Sequence, residues 1–312
     1  MKVKQMREII VTGLPPEKGE IKGCWYNGYP VHQGYSESSL NYATVLANEK
    51  GIVPDQGELR YEWQNLLFTL QNAGFLVHVI PFPDRLNQPD CICHDAVFVR
   101  DSGMMFRNCW IQGRFAADAR GQEARVYGEI VPQLFGKELI TLPENAFLEF
   151  GEVFYLETEH ESYYFGGLSR SNEKAHQFVR EIIQPDHFYL IESEGYHLDT
   201  VFTPVLGPDN RLAALIFCPE MIMPESLELL ESIETEIIPI DPVDSSGQGD
   251  VLGDYAVNAL VAPGVLISCC PFQTTGVEHR LEEMGIQHYE IPLKYFKYAG
   301  GSVHCLTNDV YR

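Results

Sequence analysis

Phe178-Val179-Arg180-Glu181-Ile182-Ile183, running into Phe188-Tyr189-Leu190-Ile191-Glu192, is the stretch from which the fold is read. Apolar residues three and four apart mark one face of a helix, and the aromatic and β-branched run after it marks a strand. The same grammar recurs along the chain. Trp63 to Gly74 leads into Val77 to Pro81, and Ile130 to Phe135 into Leu139 to Pro143. Leu227 to Ser232 leads into Ile237 to Ile240, and His279 to Gly285 into His288 to Pro292. Between these units lie hairpin-like stretches at Phe98–Gln112, Gly151–Phe165, Thr200–Phe217 and Val257–Cys269, each with turn residues at its middle. A repeat of hairpin, helix and strand predicts an α/β protein of five equivalent units. The fifth hairpin is split: Val303 to Val310 ends the chain and Glu8 to Val11 begins it. Pairing those ends would close a ring without an exposed edge, which favours one domain over residues 1–312.

Composition narrows the partners. With 45% hydrophobic and 12% aromatic residues the chain can bury a large core. Forty-four acidic residues against 22 basic give a formal charge of −22, which repels nucleic acid and anionic membranes and attracts small cations. No run approaches the ~18 apolar residues that span a bilayer. The apolar run after Arg7 is too short for a signal peptide, so a cytoplasmic location is expected. The eight cysteines are too dispersed for a disulfide scaffold. Cys91-Ile92-Cys93-His94 lacks a second ligand pair at zinc spacing, so no metal and no other cofactor is expected.

The polar residues at the hairpin starts are Asp101, Glu149, His197 with Asp199, Asp250 and Cys305, at nearly even spacing along the chain. Equivalent positions in equivalent units gather at one end of the axis. Each has a structural reading of its own. Asp101 could pair with Arg100, Asp250 could be a loop residue, and Cys305 could be a small buried hydrophobe. Together they form a cysteine–histidine site of the kind covalent catalysis needs, with Cys305 after Gly300-Gly301 as nucleophile. Alternation along a strand would put His197 and Asp199 on one side. Carboxylates around a thiol raise its pKa unless the electrophile is itself cationic. A guanidinium meets that condition: Asp101 and Asp199 would clamp its edges, His197 would protonate the leaving nitrogen, and Glu149 would orient the imidazole.

In order along the chain these stretches resemble the signatures of the guanidino-group modifying (pentein) superfamily, which includes arginine deiminases, dimethylarginine dimethylaminohydrolases, agmatine deiminases and amidinotransferases. The matching stretches are Phe98-Val99-Arg100-Asp101, Leu148-Glu149-Phe150-Gly151-Glu152, Phe165-Gly166-Gly167-Leu168-Ser169-Arg170-Ser171-Asn172, His197-Leu198-Asp199 and Gly300-Gly301-Ser302-Val303-His304-Cys305. The resemblance implies a five-bladed ββαβ propeller, with Asp101 as guanidinium ligand, Glu149 as catalytic acid and Arg170 on a substrate carboxylate. Asp95, Phe98 and Arg114 sit where the dimethylarginine hydrolases keep substrate contacts. Arg114 could equally be a solvated hairpin-end arginine. Phe150 and Glu152 depart from the family's glycine and aspartate. The implied activity is a hydrolase opening a guanidino C–N bond of arginine or a derivative. An amidinotransferase and a non-catalytic binding propeller are the alternatives, and a homodimer is one assembly open to the chain.

Overall fold

The computed structural model describes residues 7–15, 43, 47, 50–52, 55–88, 91–116, 120–248 and 251–311. Asp250 lies outside the described residues. The repeat is present as five ββαβ units. In the first, strands β3 (Gly103–Phe106) and β4 (Cys109–Gln112) form an antiparallel hairpin, helix α2 (Gly121–Phe135) follows, and β5 (Glu138–Thr141) returns parallel to β4. The second unit is β6 (Val153–Glu157), β7 (Ser162–Gly167), α3 (Glu173–Ile183) and β8 (His187–Ile191). The third is β9 (Phe202–Leu206), β10 (Leu212–Phe217), α4 (Pro224–Glu231) and β11 (Glu236–Pro239). The fourth is β12 (Leu260–Ala262), β13 (Val265–Ser268), α5 (Val277–Glu283) and β14 (Gln287–Glu290).

The chain ends build the fifth unit. The last strand, β15 (Thr307–Tyr311), pairs antiparallel with the first, β1 (Glu8–Thr12), with Ile10 opposite Asn308. Helix α1 (Gln56–Asn72) then leads to β2 (Leu76–Ile80), parallel to β1. β15 also runs parallel beside β3, which fuses the first and fifth units into one six-stranded sheet. The terminal pairing expected from the sequence is therefore formed, but among the described residues no sheet closes on itself. The other three units remain separate three-stranded sheets. They meet their neighbours through short turns, isolated bridges such as Arg114–Leu148, and packed side chains. Among the described residues no helix is long and apolar enough to cross a membrane.

One feature shared by four of the units matters most for chemistry. A single tight turn precedes the first strand: Val99–Ser102 before β3, Phe150–Glu152 before β6, Leu198–Thr200 before β9, and residues 303–306 before β15. The last is presented by a short helix, α6 (Lys294–Tyr298), followed by Gly300 in the left-handed conformation at φ 83°. Arg100 locks that turn to the first unit. Its N–H donates to the Cys305 carbonyl (3.2 Å), and its guanidinium pairs with Asp309 (2.9 Å) and reaches the His304 carbonyl. Arg100 is thus paired away from Asp101.

Close packing under the same turn makes a stability prediction. A Cβ on Gly103 would strike the Trp110 ring and lie 2.7 Å from the Ile111 carbonyl. Gly103→Ala is expected to destabilise the protein by about 1–3 kcal/mol through overpacking. Calorimetry checks this, and an unchanged melting temperature would contradict it.

Candidate active site

The tight turns of the first, second and third units converge on Gly151. A Cβ there would lie 2.5 Å from His197 Nδ1 and 2.8 Å from Asp101 Oδ1, so a side chain cannot be accommodated between them. This is the local reason for glycine after Phe150. The same crowding recurs at Gly301, where a Cβ would lie 2.6 Å from the Phe98 ring and 3.1 Å from Cys305 Cβ. Phe98 therefore packs as a wall beside the thiol turn.

Cys305 is buried, and its sulfur lies between an acceptor and a donor. Asp199 Oδ2 is 3.3 Å from Sγ, and Asn258 Nδ2 is 3.1 Å from it on another side. The same Asp199 oxygen accepts from His304 Nδ1 at 2.7 Å, and the His304 ring stacks on Phe154 with centroids 4.4 Å apart. Burial lowers His304 far below the usual histidine value, so it serves as a neutral donor to Asp199. The thiol itself is raised well above its ordinary value, by burial first and then by Asp199 and Asp101.

His197 faces the other acids. Its Nε2 is 2.9 Å from Glu149 Oε2, and its Nδ1 is 3.7 Å from Asp101 Oδ1. Burial alone would depress this imidazole. Asp101, then the hydrogen bond and charge of Glu149, overcome that and hold it at about 9. His197 and Asp199 do not share a strand face as alternation predicted. The chain turns tightly at Leu198–Thr200, sending His197 to Glu149 and Asp199 to Cys305. Glu152 holds that turn: its carboxylate accepts from Leu198 N at 2.7 Å and from Arg170 N. A Cβ on Gly167 would collide with Glu152, so the Glu152 carboxylate fills the space above that glycine.

Behind Asp101 stands a cluster that motif reading missed. Arg120 donates to Asp101 Oδ2 (2.7 Å), to both oxygens of Glu123 and to the Asp95 carbonyl (3.1 Å). Its position just before helix α2 and the Arg-x-x-Glu spacing to Glu123 were the available signals. Burial pushes Asp95 up to about 6 against the pull of Arg120, and pushes Asp199 up to about 7 against the pull of His197. One oxygen of each of Asp95, Asp101 and Asp199 is buried without a hydrogen-bond donor. Three such oxygens in one region are expensive unless a donor-rich cation meets them.

The two substrate arginines expected from the sequence differ in surroundings. Arg114 is committed to structure, its guanidinium donating to the carbonyls of Leu142 (2.9 Å), Pro143 (2.6 Å) and Ala146. That replaces the substrate contact expected of it: the Arg114–Leu148 bridge directs its side chain onto the 142–146 loop. Arg170 instead lies over the Tyr196 ring at 4.2 Å, and that ring lies against His197 with centroids 4.5 Å apart.

No family model matches the chain. It superposes on the N-terminal domain of ArgZ covalently bound to a reaction intermediate with a TM-score of 0.74, at 19% identity over 98% of both chains. A dimethylarginine dimethylaminohydrolase adduct with 4-chloro-2-hydroxymethylpyridine matches at a TM-score of 0.64 and 15% identity, over 98% of this chain and 100% of that one. The fold is that of the pentein superfamily. In sequence, the chain is 25% identical over 218 residues to the bifunctional arginine dihydrolase/ornithine cyclodeaminase ArgZ of Synechocystis sp.. That match covers 68% of the chain and 29% of ArgZ, so the chain spans less than a third of its curated relative.

The protonation pattern of this site carries a sign. His197 and Asp199 both titrate higher in the native state than at their ordinary values of 6.5 and 3.8. The native state therefore holds more protons, and stability falls as pH rises through about 7 for Asp199 and about 9 for His197. The unliganded protein is expected to melt at progressively lower temperature from pH 6.5 to 9.5. Glu149→Gln should flatten the upper part of that decline by returning His197 toward its usual range. Scanning calorimetry across pH checks both, and an upward slope would contradict the assignment.

Proposed function

We propose that the protein is a hydrolase that opens a C–N bond of the guanidino group of arginine or an arginine derivative, through a covalent thiouronium intermediate on Cys305. The observation that carries this is the set of buried, donor-less oxygens of Asp95, Asp101 and Asp199 beside a thiol. A guanidinium brings a planar fork of N–H donors and a positive charge, which such a site lacks. The names of the matched proteins point the same way, to arginine and dimethylarginine. In this reading the five units stand around one axis as a propeller, with their tight turns at one end.

The chemistry follows from the contacts. Substrate N–H groups fill the free carboxylate oxygens, and the guanidinium charge makes ionisation of the thiol favourable. The Cys305 proton passes to Asp199 Oδ2, 3.3 Å away, and the sulfur adds to the guanidinium carbon. His197, charged at neutral pH, protonates one nitrogen as the C–N bond breaks, and ammonia or an alkylamine leaves. The imidazole, now neutral and steadied by Glu149, takes a proton from water, whose oxygen adds to the thiouronium carbon. The C–S bond then breaks. The urea product then loses its hydroxyl proton to solvent, where the released ammonia or alkylamine takes it up, and the thiolate recovers its proton from Asp199. Arg170, with only an aromatic face as its side-chain partner in the contacts above, is the cation offered to a carboxylate on the substrate tail.

The test is a panel of arginine, methylated arginines, agmatine and guanidine, scored for ureido product and released amine without an added amine acceptor. Product from arginine or a methylated arginine supports the hydrolase. Product only with an added amine would make the enzyme an amidinotransferase, and no turnover of any member would leave a binding protein. Cys305→Ser is expected to lower turnover by at least ~10³-fold. Arg170→Ala should raise KM for arginine roughly ten- to a hundredfold, the loss of one charge-assisted contact, with a far smaller change for agmatine.

A further inference from the structure

We propose that Asn258 is a further catalytic side chain, an amide whose N–H group holds the Cys305 sulfur in its nucleophilic, anionic form. The inference rests on Cys305 being the nucleophile. Asn258 lies just before β12, in the unit that contributes none of the acids described above, and it is fully buried. Its four hydrogen bonds use every capacity a primary amide has. Oδ1 accepts from Ser302 N (3.1 Å) and Cys305 N (3.3 Å), while Nδ2 donates to the Asp199 carbonyl (3.1 Å) and to Cys305 Sγ (3.1 Å).

The orientation of the amide is fixed by chemistry. Two backbone N–H groups can only donate, so the carbonyl oxygen must face them and the NH2 must face the sulfur. A neutral thiol gains little from such a donor; a thiolate gains a charge-assisted hydrogen bond. The charged acids nearby work the other way. Asp199 and Asp101 disfavour the anion, Tyr255 behind it is buried and neutral, and His304 is neutral and turned toward Asp199. Arg100 reaches only the backbone of His304 and Cys305 and is paired with Asp309, and His197 is engaged by Glu149 and Asp101. Asn258 and the Ser302 backbone are the groups that pull the thiol down. They also aim it: with N–H on one side and Asp199 on another, the sulfur keeps a fixed position when it loses its proton.

The measurement is the rate of alkylation of Cys305 by iodoacetamide against pH, read by mass spectrometry on the peptide that contains it. In Asn258→Ser, which takes away the amide N–H by shortening the side chain and adds no charge, the rate at neutral pH is expected to fall roughly tenfold, with the midpoint moved up and the rates converging at high pH. A purely structural loss would lower the high-pH plateau instead. If the serine variant does not fold, Asn258→Asp keeps the acceptor for both backbone N–H groups and should slow alkylation at least as much. A wild-type pH profile in either folded variant, or a lowered plateau with an unmoved midpoint, overturns the proposal. The assay needs no substrate. A wild type that turns over no guanidino compound would end the hydrolase reading while leaving the role of Asn258 decided by its own profile.

Discussion

Burial of several carboxylates in one place, away from water and beside one another, is the constraint on which this site depends. Asp95, Asp101, Glu123, Glu149, Glu152 and Asp199 are all buried. Arg120 neutralises part of that charge through Asp101 and Glu123, and His197 another part through Glu149 and Asp101. What is left over is one buried oxygen without a donor on each of Asp95, Asp101 and Asp199, with burial raising Asp199 to about 7. Such an arrangement is unstable by itself and is relieved by a cation that brings its own donors. The unliganded protein therefore carries destabilisation that substrate would remove, which is how a site can favour a planar cation over neutral amides of the same shape.

The fold provides this by repetition. Four of the five ββαβ units place a similar tight turn ahead of their first strands, and the turns differ in which side chain is delivered. Asp101, Glu149, Asp199 and Cys305 come from four such turns, and Asn258 comes from the segment leading into the remaining unit. Glycines 151 and 301 are where neighbouring turns approach too closely for a Cβ. The two chain ends complete the fifth unit, so the strand that follows Cys305 is held between β1 and β3 rather than at a free edge.

Much of this was legible in sequence, because amphipathic helix and apolar strand periods survive in every unit. The strands β2, β5, β8, β11 and β14 begin one residue before the apolar runs that announce them. Helices α2 and α3 extend further toward their N-termini than the periodic stretch, since their first turns are polar. The site was less legible in its details. Alternation put His197 and Asp199 on one strand face, whereas the short turn at Leu198–Thr200 sends them to different partners, and such a turn has no signature distinct from a strand start. Arg114 was read as a substrate contact, but its hairpin-end position put three carbonyls within reach. Asn258 and Arg120 lie outside the quoted motifs and His304 fills an unspecified position in one, and the partners that bring the three into the site lie from 19 to 105 residues away. Only the folded chain brings them to the reacting groups.

The central claim is that the Cys305 sulfur bonds to the guanidinium carbon. Acid-quenching the protein during turnover of arginine or a methylated arginine, followed by peptide mass spectrometry, tests it most directly. The account predicts a transient adduct on the peptide containing Cys305, heavier by the substrate less the departed amine. Steady turnover with Cys305 unmodified at every quench time, or an adduct on another side chain, would contradict it.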